Sequence, residues 1–371
     1  MRLLASRIAE ALDGRLHPSD AAADSYVDGA SFDSRTTALG ELFVPIVAER
    51  DGHDFVSAAI DAGATAFLTD RPPVDHRVPS VEVADTSDAL LRLGAWARGR
   101  LDVPVVGITG SVGKTSTKDF VAAALAATRT VTASARSFNN EQGLPVTILG
   151  ADDDTDVLVV EMGMRGFGQI TRLCDIARPT IGVVTAVAES HTELVGDIDG
   201  VARAKGELVE ALPADGVAVL NGDDDRVAAM ASRAAGDVVT YGIDGGAGRT
   251  LAVTDVHLDQ LARARFTAHS PWGSADVRLP VSGLHMVANA AAALAVAGVV
   301  EGRIDAAAAA LADATVSAMR MDVRRTSGGA VLVNDAYNAN PTSMAAALEA
   351  VAAMDAVRRV AVLGLMAELA D

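Results

Sequence analysis

A chain of 371 residues is long enough for two or three domains, and its single cysteine, Cys174, excludes an internal disulfide and fits a reducing, cytoplasmic setting. With 31 Lys plus Arg against 49 Asp plus Glu, the net charge of −18 argues against general binding to nucleic acid or to an anionic membrane. The longest apolar run, residues 290–300, is too short to span a bilayer, and the Arg and Glu interleaved in MRLLASRIAEALDGRL argue against a secretory signal, so no membrane insertion is expected.

Leu4, Ile8, Ala11 and Leu12 recur at helical spacing, so the chain should open on a short amphipathic helix. SYVDGASFDSRTTALGELFVPI reads as strand, loop, strand, and DGHDFVSAAIDAGATAFLTD as helix, turn, strand. A proline-bearing stretch at 71–79 then leads to a helix at 88–98, which closes a first α/β unit over residues 1–100. From 101 to 321 strands (103–109, 157–162, 181–187 and 217–221) alternate with helices (notably 117–127 and 198–212). This pattern predicts an α/β domain, a mostly parallel sheet with helices on both faces. Residues 251–281, β-rich around the turn Pro271-Trp272-Gly273, should form an antiparallel edge. After Arg320, segments 330–334, 342–354 and 359–363 read as strand, helix, strand: the start of a Rossmann-like α/β unit over 322–371. One βαβ unit cannot cover both faces of a parallel sheet, so this third unit is expected to be truncated.

The stretch VPVVGITGSVGKTST, residues 103–117, carries the most chemistry. A short apolar strand turns through Gly107, Gly110 and Gly113 into Lys114 and Thr115 at the head of a helix. In such a loop the backbone N–H groups and helix N-terminus face the phosphates of a nucleotide, the lysine adds charge, and the hydroxyl reaches Mg²⁺. The common pattern wants a glycine where this chain has Ile108. The tighter G-x-T-G-x-x-G-K-T makes Thr109, Gly110, Ser111, Val112, Gly113, Lys114, Thr115 and Ser116 the candidate cradle.

Glu161 closes the strand DVLVVEM, where a carboxylate can hold Mg²⁺ or serve as a cap or surface acid. His191 follows the strand IGVVTAV and lies beyond the same sheet edge; a lone loop histidine is usually just solvated. Lys205, in VARAKGELVEAL, reads by itself as a surface lysine on a helix. Asn139 and Asn140, in SFNNEQGLPVT, read as a turn before a strand, or as amides for a peptide or sugar. His285 and Asn289 stand i and i+4 on one helix face, where they could meet an adenine or merely cap a buried alanine helix. NDAYNANPTS is a polar loop with Pro341 near a helix start.

Taken in order, these segments resemble the Mur ligases along nearly the whole chain. FDSRTTALGELFVPI and DGHDF are similar to the UDP-binding N-terminal domain of that family, and GITGSVGKTS, SFNNEQGLP, VVEMGMRG, ESHTELVG, ARAKGEL, LNGDDD and GLHMVANAAAA follow in family order. DAYNANPTSM and LGLMAEL resemble more narrowly the branch that adds D-alanyl-D-alanine to UDP-N-acetylmuramoyl-tripeptide. The D-N-P-R motif of the diaminopimelate- or lysine-adding branch does not occur.

The resemblance implies a cytoplasmic, monomeric, ATP-dependent amide ligase of peptidoglycan synthesis. ATP phosphorylates the tripeptide carboxylate, and the amine of D-alanyl-D-alanine attacks the acyl phosphate. By the same resemblance Lys114 and the loop amides hold the β- and γ-phosphates. Thr115 meets the first of two Mg²⁺ ions, Glu161 ligates Mg²⁺, His191 helps to place the second ion, and Lys205 becomes an anionic ligand once carbamylated by CO₂. His285 and Asn289 would contact the adenine end, with Arg320 and Asp335 reaching the nucleotide from the third domain. Ser34 and Arg35 would lie at the UDP end, Asn139 and Asn140 on the substrate, and Asn338 and Asn340 along D-alanyl-D-alanine. Leu365 stands where the family usually has aspartate, so no role is assigned there. The competing expectations are another ligase of the superfamily, such as a folylpolyglutamate synthase, or a nucleotide-binding fragment with little turnover.

Overall fold

The computed structural model describes residues 1–135, 137–189, 192–243 and 248–366. It opens with β1 (Arg2–Leu4), α1 (Ala5–Leu12), β2 (Arg15–His17), β3 (Tyr26–Asp28), β4 (Ala30–Ser31), β5 (Leu42–Phe43), α2 (Val56–Ala62), β6 (Ala66–Thr69), β7 (Ser80–Glu82) and α3 (Thr86–Arg98). β1 and β3 pair antiparallel. The other five strands form a sheet in the order β2-β7-β6-β5-β4, parallel except between β2 and β7. α1 buries Ala5, Ile8, Ala9 and Leu12, an apolar stripe at helical spacing.

Next come β8 (Val105–Thr109), α4 (Lys114–Ala126), β9 (Val131–Ala133), α5 (Gly143–Leu149), β10 (Val157–Glu161), α6 (Gln169–Ala177), β11 (Ile181–Val184), α7 (Thr192–Val195), α8 (Ile198–Glu210), β12 (Val217–Asn221), α9 (Asp225–Ala229), β13 (Asp237–Gly242), β14 (Leu251–Leu258), β15 (Arg263–Ser270), β16 (Gly273–Ser282), α10 (His285–Glu301) and α11 (Asp305–Ala310). Their strands make one sheet in the order β16-β15-β14-β13-β12-β11-β8-β10-β9. Every pair from β9 to β14 is parallel, and β15 and β16 add the antiparallel edge expected from the sequence.

Strand alternation sends side chains to two cores. Val105, Leu158, Val160, Val184 and Leu220 join one with α1, α3, α5, α6 and α8. Val106, Ile108, Val159, Val183 and Val219 join another with α4 and α10. With helices against both faces, β8 and β10 are buried along their whole length, which is why they read as unbroken apolar runs. α10 is buried nearly all round, and its alanines let it lie close to α4.

Two expectations need correction. The NNEQG turn leads into helix α5, not a strand, with Pro145 in the first helical turn, where its missing N–H costs nothing. Nor does the third unit begin as strand, helix, strand. β17 (Asp322–Arg325) and β18 (Val331–Asn334) form an antiparallel pair followed by α12 (Pro341–Ala353), and residues 359–363 form no strand. β18 pairs with β17, and residues 359–363 pair with neither of them nor with any other described strand.

Candidate active site

β8 lies between β10 and β11, the point where the strand order turns back, so the crevice beyond these strands is where an α/β sheet takes its ligand. The glycine-rich loop leaves β8 at that crevice. Gly113 has φ of +84°, and a Cβ there would stand 2.6 Å from Asn289 Oδ1; at Gly110, with φ of +154°, a Cβ would collide with Thr185 Oγ1. Only glycine allows both the backbone and the close approach. The loop is tied down on all sides. Ser111 N donates to Ala186 O at 2.8 Å and Ser111 Oγ to Ala188 O at 2.9 Å. Thr185 Oγ1 donates to Val112 O at 2.6 Å, and Thr109 Oγ1 to Met162 O at 2.8 Å. α4 starts at Lys114 with no side-chain cap, which leaves its leading amides to an anion. Lys114 Nζ reaches back across the loop to Gly110 O at 2.8 Å, and Thr115 and Ser116 are buried in the first turn.

Glu161, at the end of β10, is fully buried. Its Oε1 accepts from Asn139 Nδ2 at 2.8 Å, whereas Oε2 is buried with no hydrogen-bond partner among the described residues. Lys205, on α8, is 2% exposed and has no hydrogen-bond or ion-pair partner among the described residues. Burial, and then the neighbouring Lys114 ammonium, push its pKa well below the ordinary lysine value. An orphaned buried oxygen costs about 1–3 kcal/mol, so such a group persists where a ligand makes use of it. The Thr115 hydroxyl and the Glu161 carboxylate are hard oxygen donors of the kind Mg²⁺ takes. No group of three or more His, Cys, Asp or Glu side chains able to hold an ion stands among the described residues. His191 lies outside the described residues.

A cavity of about 920 Å³ joins these groups. Gly110, Ser111, Lys114, Glu161 and Lys205 line its base, with Asn139 and Asn140 beside them. Arg320 and Asn338 reach it from the segments on either side of β17 and β18. Arg320 Nη2 donates to Thr115 Oγ1 at 3.3 Å, and its guanidinium lies 4.1 Å from the centre of the Tyr337 ring. Asp335 Oδ1 accepts from Met321 N at 3.0 Å, and burial raises its pKa.

Other predicted residues stand apart. Asn289 packs behind Gly113 and accepts from Thr117 Oγ1 at 3.2 Å. His285, the first residue of α10, has a buried Nδ1 without a partner, and burial holds its pKa down at about 4. Neither lines the cavity. Asn340 caps α12: its Oδ1 accepts from Ser343 N at 2.8 Å, and Ser343 Oγ accepts from Asn340 N at 3.1 Å. Ser34 and Arg35 sit in an N-terminal turn, Arg35 forked onto Asp33 at 2.7–2.9 Å, next to a second cavity of about 530 Å³ lined by Asp33 and Thr36.

Sequence reasoning missed several cavity residues: Asp85 and Asp88 at the head of α3, Ser137, and Arg165, Gln169 and Arg172 on and before α6. Lys205 did carry a signal. It lies four residues after Val201 and three before Leu208, on the buried stripe of α8.

Comparison with known proteins gives concordant matches. The Mur ligase middle domain matches residues 108–297, and the Mur ligase glutamate ligase domain matches residues 319–371. The UDP-N-acetylmuramoyl-tripeptide–D-alanyl-D-alanine ligase of Mycobacterium tuberculosis (strain ATCC 25618 / H37Rv) is 41% identical over 405 residues, taking in 100% of this chain and 78% of the relative. Among solved structures, MurF from Acinetobacter baumannii superposes with a TM-score of 0.83 at 29% identity, covering 96% of this chain and 77% of that one. MurF ligase from Thermotoga maritima in complex with ADP gives 0.73 at 28% identity, covering 88% and 75%.

Proposed function

This chain belongs to the Mur ligase family, and from that premise we propose that it joins D-alanyl-D-alanine to UDP-N-acetylmuramoyl-tripeptide, with ATP driving the bond, in the making of the peptidoglycan precursor. The observation that carries the reading is the meeting in one cavity of the loop lysine Lys114, the half-satisfied Glu161 and the buried, unpartnered Lys205. No described helix is long and apolar enough to cross a membrane, and the work is assigned to the cytoplasm.

The first step transfers the γ-phosphoryl group of ATP to the tripeptide's free carboxylate, and ADP leaves. In the second, the dipeptide amine attacks the acyl carbon, the amide forms, phosphate leaves with the bonding pair and the amine's proton is lost. Bringing two anions together is the difficulty. The loop amides and Lys114 take the phosphates, and the ammonium turns from Gly110 O to do so. Mg²⁺, which Thr115 and Glu161 would hold and a second ion of which His191 would help to place, would supply charge to offset the repulsion. Arg320, hydrogen-bonded to Thr115, adds a cation at the same place.

Lys205 suits carbamylation. Its lowered pKa supplies the neutral amine that attacks CO₂; an N–C bond forms, a proton leaves, and the product is an anion that can ligate a cation. Residues 1–100 are assigned to the UDP end with Ser34 and Arg35, 101–321 to ATP, and 322–371 to the ligase unit. Asn139 and Asn140 flank the tripeptide, Asn338 faces the dipeptide with Asn340 behind it, and His285, Asn289 and Asp335 support the nucleotide end.

The test is phosphate release. ATP should be cleaved only when UDP-N-acetylmuramoyl-tripeptide and D-alanyl-D-alanine are both present. Equal turnover with a folate and glutamate in their place would refute the reading.

A further inference from the structure

LNGDDD, residues 220–225, is one of the segments that follow the family order, yet the reaction derived above makes no use of it, and neither Asn221 nor Asp224 lines the active cavity. Both side chains bond to residues 185–188, the segment that leaves β11 beside the glycine-rich loop. The backbone ladder between β11 and β12 ends at Val184 and Leu220. Beyond it side chains take over: Asn221 Nδ2 donates to Thr185 O at 2.8 Å, and Asp224 Oδ2 accepts from Val187 N at 2.8 Å. Each side chain is fixed at its other end as well. Asp224 Oδ1 caps α9, accepting from Arg226 N at 3.0 Å and Val227 N at 3.2 Å, and Asn221 Oδ1 accepts from Asp223 N at 3.0 Å. On its far side the same segment holds the loop. Thr185 N donates to Thr109 O at 3.0 Å and Thr185 Oγ1 to Val112 O at 2.6 Å, while Ser111 donates to Ala186 O and Ala188 O at 2.8 and 2.9 Å. Thr185, Val187 and Ala188 are buried, so water does not pair their backbone groups, and the residues on either side decide where they stand.

Resting on the ligase reading above, which puts the phosphates of ATP in the glycine-rich loop, we propose that Asn221 and Asp224 are positioning residues for that loop: they brace residues 185–188 from behind, and that segment holds Ser111 and Val112 in the form that takes the phosphates. The loop's own sequence does not supply this order. Gly110 and Gly113 stand at φ of +154° and +84°, and the freedom that lets them do so leaves other backbone forms open. The form that binds must therefore be held from outside. Amides already aimed at an anion bind it without a further ordering cost. The bond from Val187 N goes to a carboxylate, which makes it the stronger of the two links in the brace.

Two variants test the brace. Asp224→Ser keeps an oxygen for the cap of α9 but is too short to reach Val187 N as well. Asn221→Asp keeps the acceptor for Asp223 N and turns an oxygen, not an amide, toward Thr185 O. Calorimetric titration with ADP and Mg²⁺ should give a dissociation constant about tenfold higher in each variant than in wild type. A smaller folded fraction would lower the stoichiometry of the titration and leave that constant alone. In steady state the KM for ATP should rise by a similar factor, while the KM values for the tripeptide nucleotide and D-alanyl-D-alanine stay as in wild type. Wild-type ADP affinity in both variants overturns the proposal, as does a fall in kcat with every KM unchanged. If Asp224→Ser does not fold, Asn221→Asp makes the same comparison alone. The same titrations separate this proposal from the reading it rests on. Weakened ADP binding in the variants, with no phosphate release by wild type that depends on D-alanyl-D-alanine, would sink the ligase reading and keep the brace. Normal wild-type turnover with unchanged ADP affinity in the variants would sink the brace alone, and a wild type that binds no ADP would sink both.

Discussion

A buried, unpartnered lysine makes stability depend on pH, and the sign can be worked out. Lys205 is 2% exposed, and its folded-state pKa is depressed by burial and by Lys114. In the unfolded chain it titrates near the ordinary value of about 10.4. Between those two values the unfolded state holds one more proton than the folded state, so the unfolding free energy rises with pH by about 1.4 kcal/mol per unit. Below the folded value both states are charged and the whole penalty is present; above about pH 10.4 neither is, and it is gone. Lys205→Met keeps an unbranched side chain of similar length and removes the titration. Urea unfolding of both proteins, without nucleotide and in CO₂-free buffer so that the amine stays unmodified, should show the variant more stable at neutral pH. The gap should narrow by about 1.4 kcal/mol for each pH unit inside the window. Parallel curves through the alkaline range would refute the reasoning, because Lys205 would then have the same pKa folded and unfolded.

Gly113→Ala places a Cβ against Asn289 Oδ1 at a φ of +84°, so it should cost about 1–3 kcal/mol in urea unfolding and weaken ATP binding measured by calorimetry; unchanged nucleotide affinity would remove the loop from the phosphate site. Asn340→Ala should cost about 1 kcal/mol through loss of the α12 cap, whereas Asn340→Ser should keep both stability and the kcat/KM for D-alanyl-D-alanine. A serine variant that is stable yet poor in kcat/KM would mean that the amide itself meets the dipeptide.

What could be read from the sequence was what neighbouring residues decide. The strand, glycine turn and helix around Lys114 were legible because the loop's glycines, lysine and threonine stand within ten positions and need only a strand before and a helix after. Glu161 was legible as the last residue of an apolar strand. Misreadings arose where a local pattern depended on a partner elsewhere in the chain. The apolar run at 359–363 fits a strand, but a strand needs a neighbour, and these residues pair with no described strand. GLPVTIL suits strand or helix, and its packing under α3 goes with the helix: a Cβ on Gly94 of α3 would stand 2.7 Å from Pro145 Cβ.

The cavity wall is the extreme case. Asp88 lies 77 positions before Arg165 and 84 before Arg172, and nothing in either segment announces the other. They share a wall because α3, the last helix of the N-terminal elements, packs on α6 of the nine-stranded sheet. The glycine-rich loop is thus set by local sequence, while the cavity wall beside it is set by how two helices far apart in the chain come together.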